Sequence, residues 1–214
     1  MSIQLVIAFY ISFLVHTIIS YLVYKESDSL NTEITLEVSF IVLTLVFVIF
    51  DKKNIYILYS FKNINWKILS FSFIFPLITG IIVYFGINGV NEFLLGENFN
   101  VYLGYIQYDN SFIWAFIFIV ITPPIFEEIA FRGFLFNQIR LVASPKVTIL
   151  ATALIFALVH FSMLSVLWIF PFGVVLGYLR NKYKTLWLGM IIHFIHNLII
   201  LLLDFYYFND VSLI

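Results

Sequence analysis

The sequence contains no cysteine, which removes disulfides, thiolate nucleophiles and thiolate metal sites from consideration. Charge is almost as scarce: Asp, Glu, Lys and Arg make up 11% of the 214 residues, against 63% hydrophobic residues. So little polar surface cannot coat a water-soluble globule, so the chain reads as an integral membrane protein of the all-α class. There is also no His-Glu-x-x-His helix and no Gly-x-Ser-x-Gly turn, which takes support from the common zinc-protease helix and from the serine elbow. Internal repeats, low-complexity tracts and long linkers are missing as well, so one helical membrane domain is expected and no nucleic-acid partner.

What is present is a series of apolar runs. A hydrocarbon core about 30 Å thick needs roughly 20 helical residues to cross it. Seven runs approach or reach that length, giving a polytopic helical bundle with about seven transmembrane helices: Ile3 to Tyr24, Ile34 to Phe50, Ile68 to Ile87, Phe112 to Ile125, Val147 to Met163, Val166 to Leu179 and Leu186 to Phe208. The fourth is expected to continue through a polar segment to about Leu141, and the sixth is interrupted by Pro171, Gly173 and Gly177. The first lacks a basic flank and a small-residue cleavage site, so it reads as a retained span and not as a signal peptide.

With the N-terminus in the cytoplasm, inner segments hold Lys52, Lys53, Lys62, Lys67, Arg132, Arg140, Lys146, Arg180, Lys182 and Lys184, and outer segments hold Lys25 alone. That asymmetry is the one the positive-inside rule requires, and it predicts a multi-pass protein of the cell membrane with a cytoplasmic N-terminus. The lysines between Asp51 and Lys67 read as a stop signal against anionic lipid. The loop from Asn88 to Asn110 is expected to form a short outer cap, and most of the aromatic residues to face lipid or the interface.

Against this background the run Glu127, Glu128, Ile129, Ala130, Phe131, Arg132 stands out, because charged groups inside an apolar helix need partners, protonation or water. Glu128 and Arg132 are four apart with the acid first, the favoured order for an ion pair on one helix face; Glu127 points about 100° away and lies outside that pair. Downstream, Phe156 and His160 share a face, as do His193 and Asn197, while His196 is turned away from His193. His196, His16 and the interfacial Glu37 read as structural.

On the assigned topology Glu127, His193 and Asn197 fall in the inner half of the membrane. If the faces meet, one carboxylate, two imidazoles and one amide enclose a pocket reachable from the cytoplasm. Two chemistries are open to that set. A poorly solvated carboxylate can act as general base on water with a histidine relaying the proton. Alternatively, Glu127, His160 and His193 are zinc-ligand types, and a bound Zn(2+) would lower the pKa of its water.

Taken in order, Glu127-Glu128-x-x-x-Arg132, Phe156-x-x-x-His160 and His193-x-x-x-Asn197 resemble the motif set of the CPBP family, the type II CAAX endopeptidases and bacteriocin-processing (Abi) enzymes. The resemblance divides the chain into N-terminal transmembrane helices and outer loop (1–111), a catalytic core (112–203) and a short C-terminal tail (204–214). It implies an intramembrane endopeptidase in which Glu127 and His160 activate water, His193 and Asn197 stabilise the oxyanion, and Glu128 with Arg132 supports the site; a metal-dependent version would use Glu127, His160 and His193 for zinc. Pro123 and Pro124, one turn before the acids, are expected to loosen the helix. The implied substrate is a lipidated protein or peptide precursor held at the lipid bilayer. The small size and the Ile-, Phe-, Asn- and Lys-rich composition resemble bacterial members. Two other classes fit a polar core of this kind: a non-catalytic immunity or regulatory protein that binds a peptide or signalling partner, and a proton-coupled carrier, the latter weakened by the lack of two matching halves.

Overall fold

The computed structural model describes residues 2–96, 100–160 and 166–211. Among these residues the regular structure is all helical, and each apolar run of the sequence corresponds to one helical rod: α1 (Ser2–Glu26), α2 (Leu30–Ile57), α3 (Trp66–Leu95), α4 (Ser111–Arg140), α5 (Pro145–Leu158), α6 (Val166–Tyr183) and α7 (Trp187–Val211). A short 3-10 turn, Val101–Gly104, precedes α4. The helix starts are written locally. Ser29, Asn65 and Ser144 each accept a backbone N–H from the first turn of the helix that follows, and Pro145 occupies the start of α5, where its missing N–H costs nothing.

Five rods, α1, α2, α3, α4 and α7, are long and apolar enough to cross a membrane. The other two complete the seven helices expected, but over the described residues they are too short or too little apolar to cross by length and composition alone. The helix of the fifth run stops at Leu158, short of Met163, and its 14 residues reach only about 21 Å at the helical rise of about 1.5 Å per residue. The sixth run forms 18 helical residues but ends in Arg180 and Lys182. Residues 161–163 of the fifth run lie outside the described residues. As expected, the fourth run continues through the paired acids, to Arg140.

The chain forms two compact units, each assembled from distant segments: residues 1–63 with 126–187, and residues 64–125 with 188–214. The first unit is built on a phenylalanine cluster. Phe9 stacks on Phe13 at 4.1 Å between ring centroids and meets Phe47 at 5.2 Å and Phe134 at 5.5 Å, while Phe131 bridges from Phe13 to Phe156. These rings are buried, so part of the aromatic content expected at the lipid face is core instead. Lipid is as apolar as phenylalanine, so the gain here is close, directional packing and not removal from water.

Close approach also joins α5 to α6 in this unit. Gly173 and Gly177, four apart on one face of α6, lie against Ala153 and Ile149 of α5. A methyl added at Gly173 would stand 3.1 Å from the Ala153 Cβ and 3.2 Å from Nη2 of Arg132. Gly173→Ala is therefore expected to destabilise the protein by about 1–3 kcal/mol. Gly86→Ala, where nothing lies within 4 Å, should be neutral or stabilising because alanine is the better helix former. Thermal unfolding of both variants in detergent micelles checks the contrast, and equal Tm values would refute it.

In the second unit Asn100, Val101 and Tyr102 are pinned to α7. Buried Asp204 accepts the Val101 N–H through Oδ2 at 2.8 Å, and the Asn100 side-chain amide donates to the Asp204 carbonyl at 2.9 Å. Tyr102 packs its ring edge-on to Phe205 and Phe208 and shares a 2.7 Å hydrogen bond with Ser111 at the start of α4. The first eight residues of the loop expected from Asn88 are helix: α3 runs to Leu95 and is closed by Gly96 in the left-handed conformation.

Candidate active site

The paired acids lie in a helix of altered pitch. Within α4, Phe116–Ile121 and Glu128–Leu135 are π-helical, separated by the α-helical stretch Thr122–Glu127. A π-turn closes on the fifth residue, widens the helix locally and is frequent at functional sites. All of Glu128–Leu135 is buried, so this wide segment is the part of α4 most enclosed by the first unit.

Glu128 and Arg132 form the ion pair that their spacing predicts: Arg132 Nη1 donates to Glu128 Oε1 at 3.0 Å, with both side chains about 1% exposed. The long arginine keeps the pair within reach despite the wider turn. Its guanidinium also lies over the Phe156 ring, 4.1 Å from the centroid. Glu127 is half-buried and is acted on electrostatically by Arg132, by Glu128 and by Glu37 of α2. Glu37, read from the sequence as interfacial, is thus an electrostatic neighbour of Glu127.

Phe156 connects the first motif to the second. Its ring carries Arg132, and its carbonyl oxygen lies 2.7 Å from Nδ1 of His160, which stands in the turn just past the end of α5. A carbonyl only accepts, so the proton is on Nδ1 and the basic lone pair of the neutral ring is on Nε2. The ring is further steered by an edge-on contact with Phe156 at 4.8 Å. Glu127, Glu128, Arg132, Phe156 and His160 therefore all belong to the first unit.

His193 and Asn197 belong to the second unit, one turn apart on α7, with His193 buried and Asn197 half-buried. Asn197 Nδ2 donates to the Ile119 carbonyl in the first π-helical segment at 2.8 Å. His196, also buried, points its ring toward Gly80 of α3, and His16 shares a 2.8 Å hydrogen bond with Ser39 that joins α1 to α2. Among the described residues no three His, Asp or Glu side chains gather closely enough to hold a metal ion.

A polar network at the far end of the first unit was not legible in the sequence. Arg180 of α6 donates through Nε to the Arg132 carbonyl at 3.0 Å and through Nη2 to Asn137 Oδ1 at 2.6 Å; Asn137 Nδ2 donates to Asp51 Oδ2 at 2.6 Å, and Asn54 donates to the other oxygen of Asp51. Asn137 thus sits between a buried cation and a buried anion with each end of its amide assigned by charge. Asp51 breaks the helical conformation of α2 (φ −136, ψ 20) where it turns into the network. Its only sequence signal was its helical register with Glu33, Glu37 and Thr44 on the inner face of α2; the neighbouring lysines concealed it. Asn137→Leu leaves both charged partners short of a bond, each worth about 1.5–3 kcal/mol. A clear fall in Tm in detergent is expected, and an unchanged Tm would show that the network carries no stability.

Compared with known families, residues 109–199 match the model described as Type II CAAX prenyl endopeptidase Rce1-like, a little under half of the chain. The matched segment contains all three motifs. No curated protein and no solved structure matches the chain.

Proposed function

We infer, from the premise that residues 109–199 form an Rce1-like domain of the type II CAAX prenyl endopeptidase (CPBP) family, that this multi-pass membrane protein is an intramembrane endopeptidase acting on a lipidated protein or a peptide precursor at the bilayer. The observation that carries the reading is the family match over the segment that holds Glu127, His160, His193 and Asn197. Its activity is of the CAAX-protease type; the roles below are those the side-chain chemistry supports best.

Glu127 takes a proton from water, and the water oxygen attacks the carbonyl carbon of the scissile peptide. His160, held with Nε2 basic by its bond to the Phe156 carbonyl, shares that proton and delivers it to the leaving amine nitrogen as the C–N bond breaks. His193 and Asn197 donate N–H groups to the oxygen of the tetrahedral intermediate, on which the negative charge develops. The Ile119 carbonyl takes one N–H of the Asn197 amide, and the oxyanion takes the second. Glu128 and Arg132 do not react; they fix the helix that carries Glu127.

The ten-to-one excess of basic residues on one set of segments supports a cytoplasmic N-terminus, with substrate entering from that side or laterally from lipid. Glu127, His160 and His193 are the ligand types that a zinc-dependent version would use, but among the described residues no metal-holding group of His, Asp or Glu is found. Metal analysis of active protein tests that version: full activity without stoichiometric zinc would reject it. The function itself is tested with the full-length protein in nanodiscs and a fluorescence-quenched prenylated CAAX peptide. Cleavage that is lost in both Glu127→Gln and His193→Ala supports the reading. Equal activity in wild type and both variants refutes it, and a role in binding a peptide or signalling partner without hydrolysis would take its place.

A further inference from the structure

Two consecutive prolines leave one carbonyl of α4 without the partner a helix would give it. In an α-helix the carbonyl of residue 119 accepts from the N–H of residue 123, and in a π-helical turn from that of residue 124. Both positions are proline, which has no N–H. Ile119 lies in the π-helical segment Phe116–Ile121, ending one residue short of this pair, so its oxygen is denied both helical donors. An unbonded carbonyl inside an apolar span is costly, and a side chain from elsewhere must supply the bond. That side chain is Asn197, seventy-eight positions away, whose Nδ2 donates to Ile119 O at 2.8 Å. The neighbouring carbonyl of Ile117 is covered by the Thr122 hydroxyl at 3.1 Å and does not compete for the amide.

We propose that Pro123 and Pro124 are positioning residues for Asn197: by withholding both backbone donors they reserve the Ile119 carbonyl for the carboxamide and so fix the direction of its second N–H. Since only the NH2 end of the side chain can donate to a carbonyl, this one bond assigns both ends of the amide and orients its plane. A donor aimed in advance at a developing charge needs no reorganisation during reaction, and that is where such an arrangement affects rate. The prolines thus do more than loosen the helix. The proposal rests on the reading of Asn197 as an oxyanion donor.

The test is a double-mutant cycle on the full-length protein in nanodiscs with the quenched prenylated peptide. Pro123→Ala with Pro124→Ala returns two N–H donors to the Ile119 carbonyl, and kcat is expected to fall roughly tenfold, with KM unchanged and Tm equal to or above wild type. In an Asn197→Ala background the same pair of replacements should leave kcat where Asn197→Ala alone puts it. The proposal is overturned by a wild-type kcat in the proline variant, or by an equal fractional loss with and without Asn197. Should the paired replacement fail to fold, Pro123→Ala and Pro124→Ala taken singly carry the same cycle, because each restores one of the two donors. A wild-type kcat for Asn197→Ala alone would instead defeat the oxyanion reading on which the proposal stands.

Discussion

Glu127→Gln is expected to lower peptide hydrolysis by roughly 10²–10⁴-fold, the range that loss of a general base produces, which corresponds to about 3–5 kcal/mol of transition-state stabilisation. The amide is nearly isosteric with the carboxylate and can still hydrogen-bond, but it cannot take a proton from water. The loss should therefore appear in kcat, with KM and Tm close to wild type. The stability half of this expectation follows from the structure: the buried ion pair uses Glu128, not Glu127, so neutralising Glu127 leaves the Arg132 bond in place. Steady-state kinetics and a detergent melting curve on one preparation read both quantities. A variant that keeps more than about a tenth of wild-type kcat would remove Glu127 from the role of base.

Arg132→Met should show the reverse pattern, a large loss of stability. The substitution deletes the guanidinium that lies 3.0 Å from Glu128 and 4.1 Å from the Phe156 ring centroid, and it takes the cation away from a fully buried carboxylate. Breaking a buried pair by removing one partner costs about 3–5 kcal/mol, most of it the penalty of the charge left behind. Arg132→Met combined with Glu128→Gln should recover part of that loss, since neither position of the pair then carries a charge; Met also fills much of the arginine stem's volume. Denaturant titration of the three variants in micelles decides the matter. If the double variant is as unstable as Arg132→Met alone, the stabilisation resides in the stacking on Phe156 and not in the pair.

The two outcomes together separate the adjacent acids, which the spacing of the motif already distinguished. Glu128 and Arg132 are four apart, and their pairing was legible because it depends on one helix turn and on the reach of arginine. The helical rods were legible for a similar reason: a chain that is 63% hydrophobic must form helices wherever it meets lipid, and the starts of the runs come within a few residues of the observed helices, while α2 and α3 run on seven and eight residues past the ends of their runs and α5 stops early. The pitch of α4 was not legible. An α-helical wheel at 100° per residue was the natural reading, yet two segments of α4 are wider, because the prolines remove donors and because acceptors there are satisfied by Asn197 and Arg180 from other helices. The role of Phe156 was likewise invisible, since its sequence position said packing and only its neighbours made it the support for both a guanidinium and an imidazole.

By itself the sequence determined which segments belong in lipid and which few side chains cannot face it, because hydropathy and local spacing act over a turn or two of helix. Tertiary structure alone decided who satisfies those side chains. Asp51 meets Asn137 across 86 positions, Asn137 meets Arg180 across 43, and Asn197 meets the Ile119 carbonyl across 78. A hydrogen bond is short and directional, and a residue that needs one carries no mark in the linear chain of which distant partner the packing will bring to it.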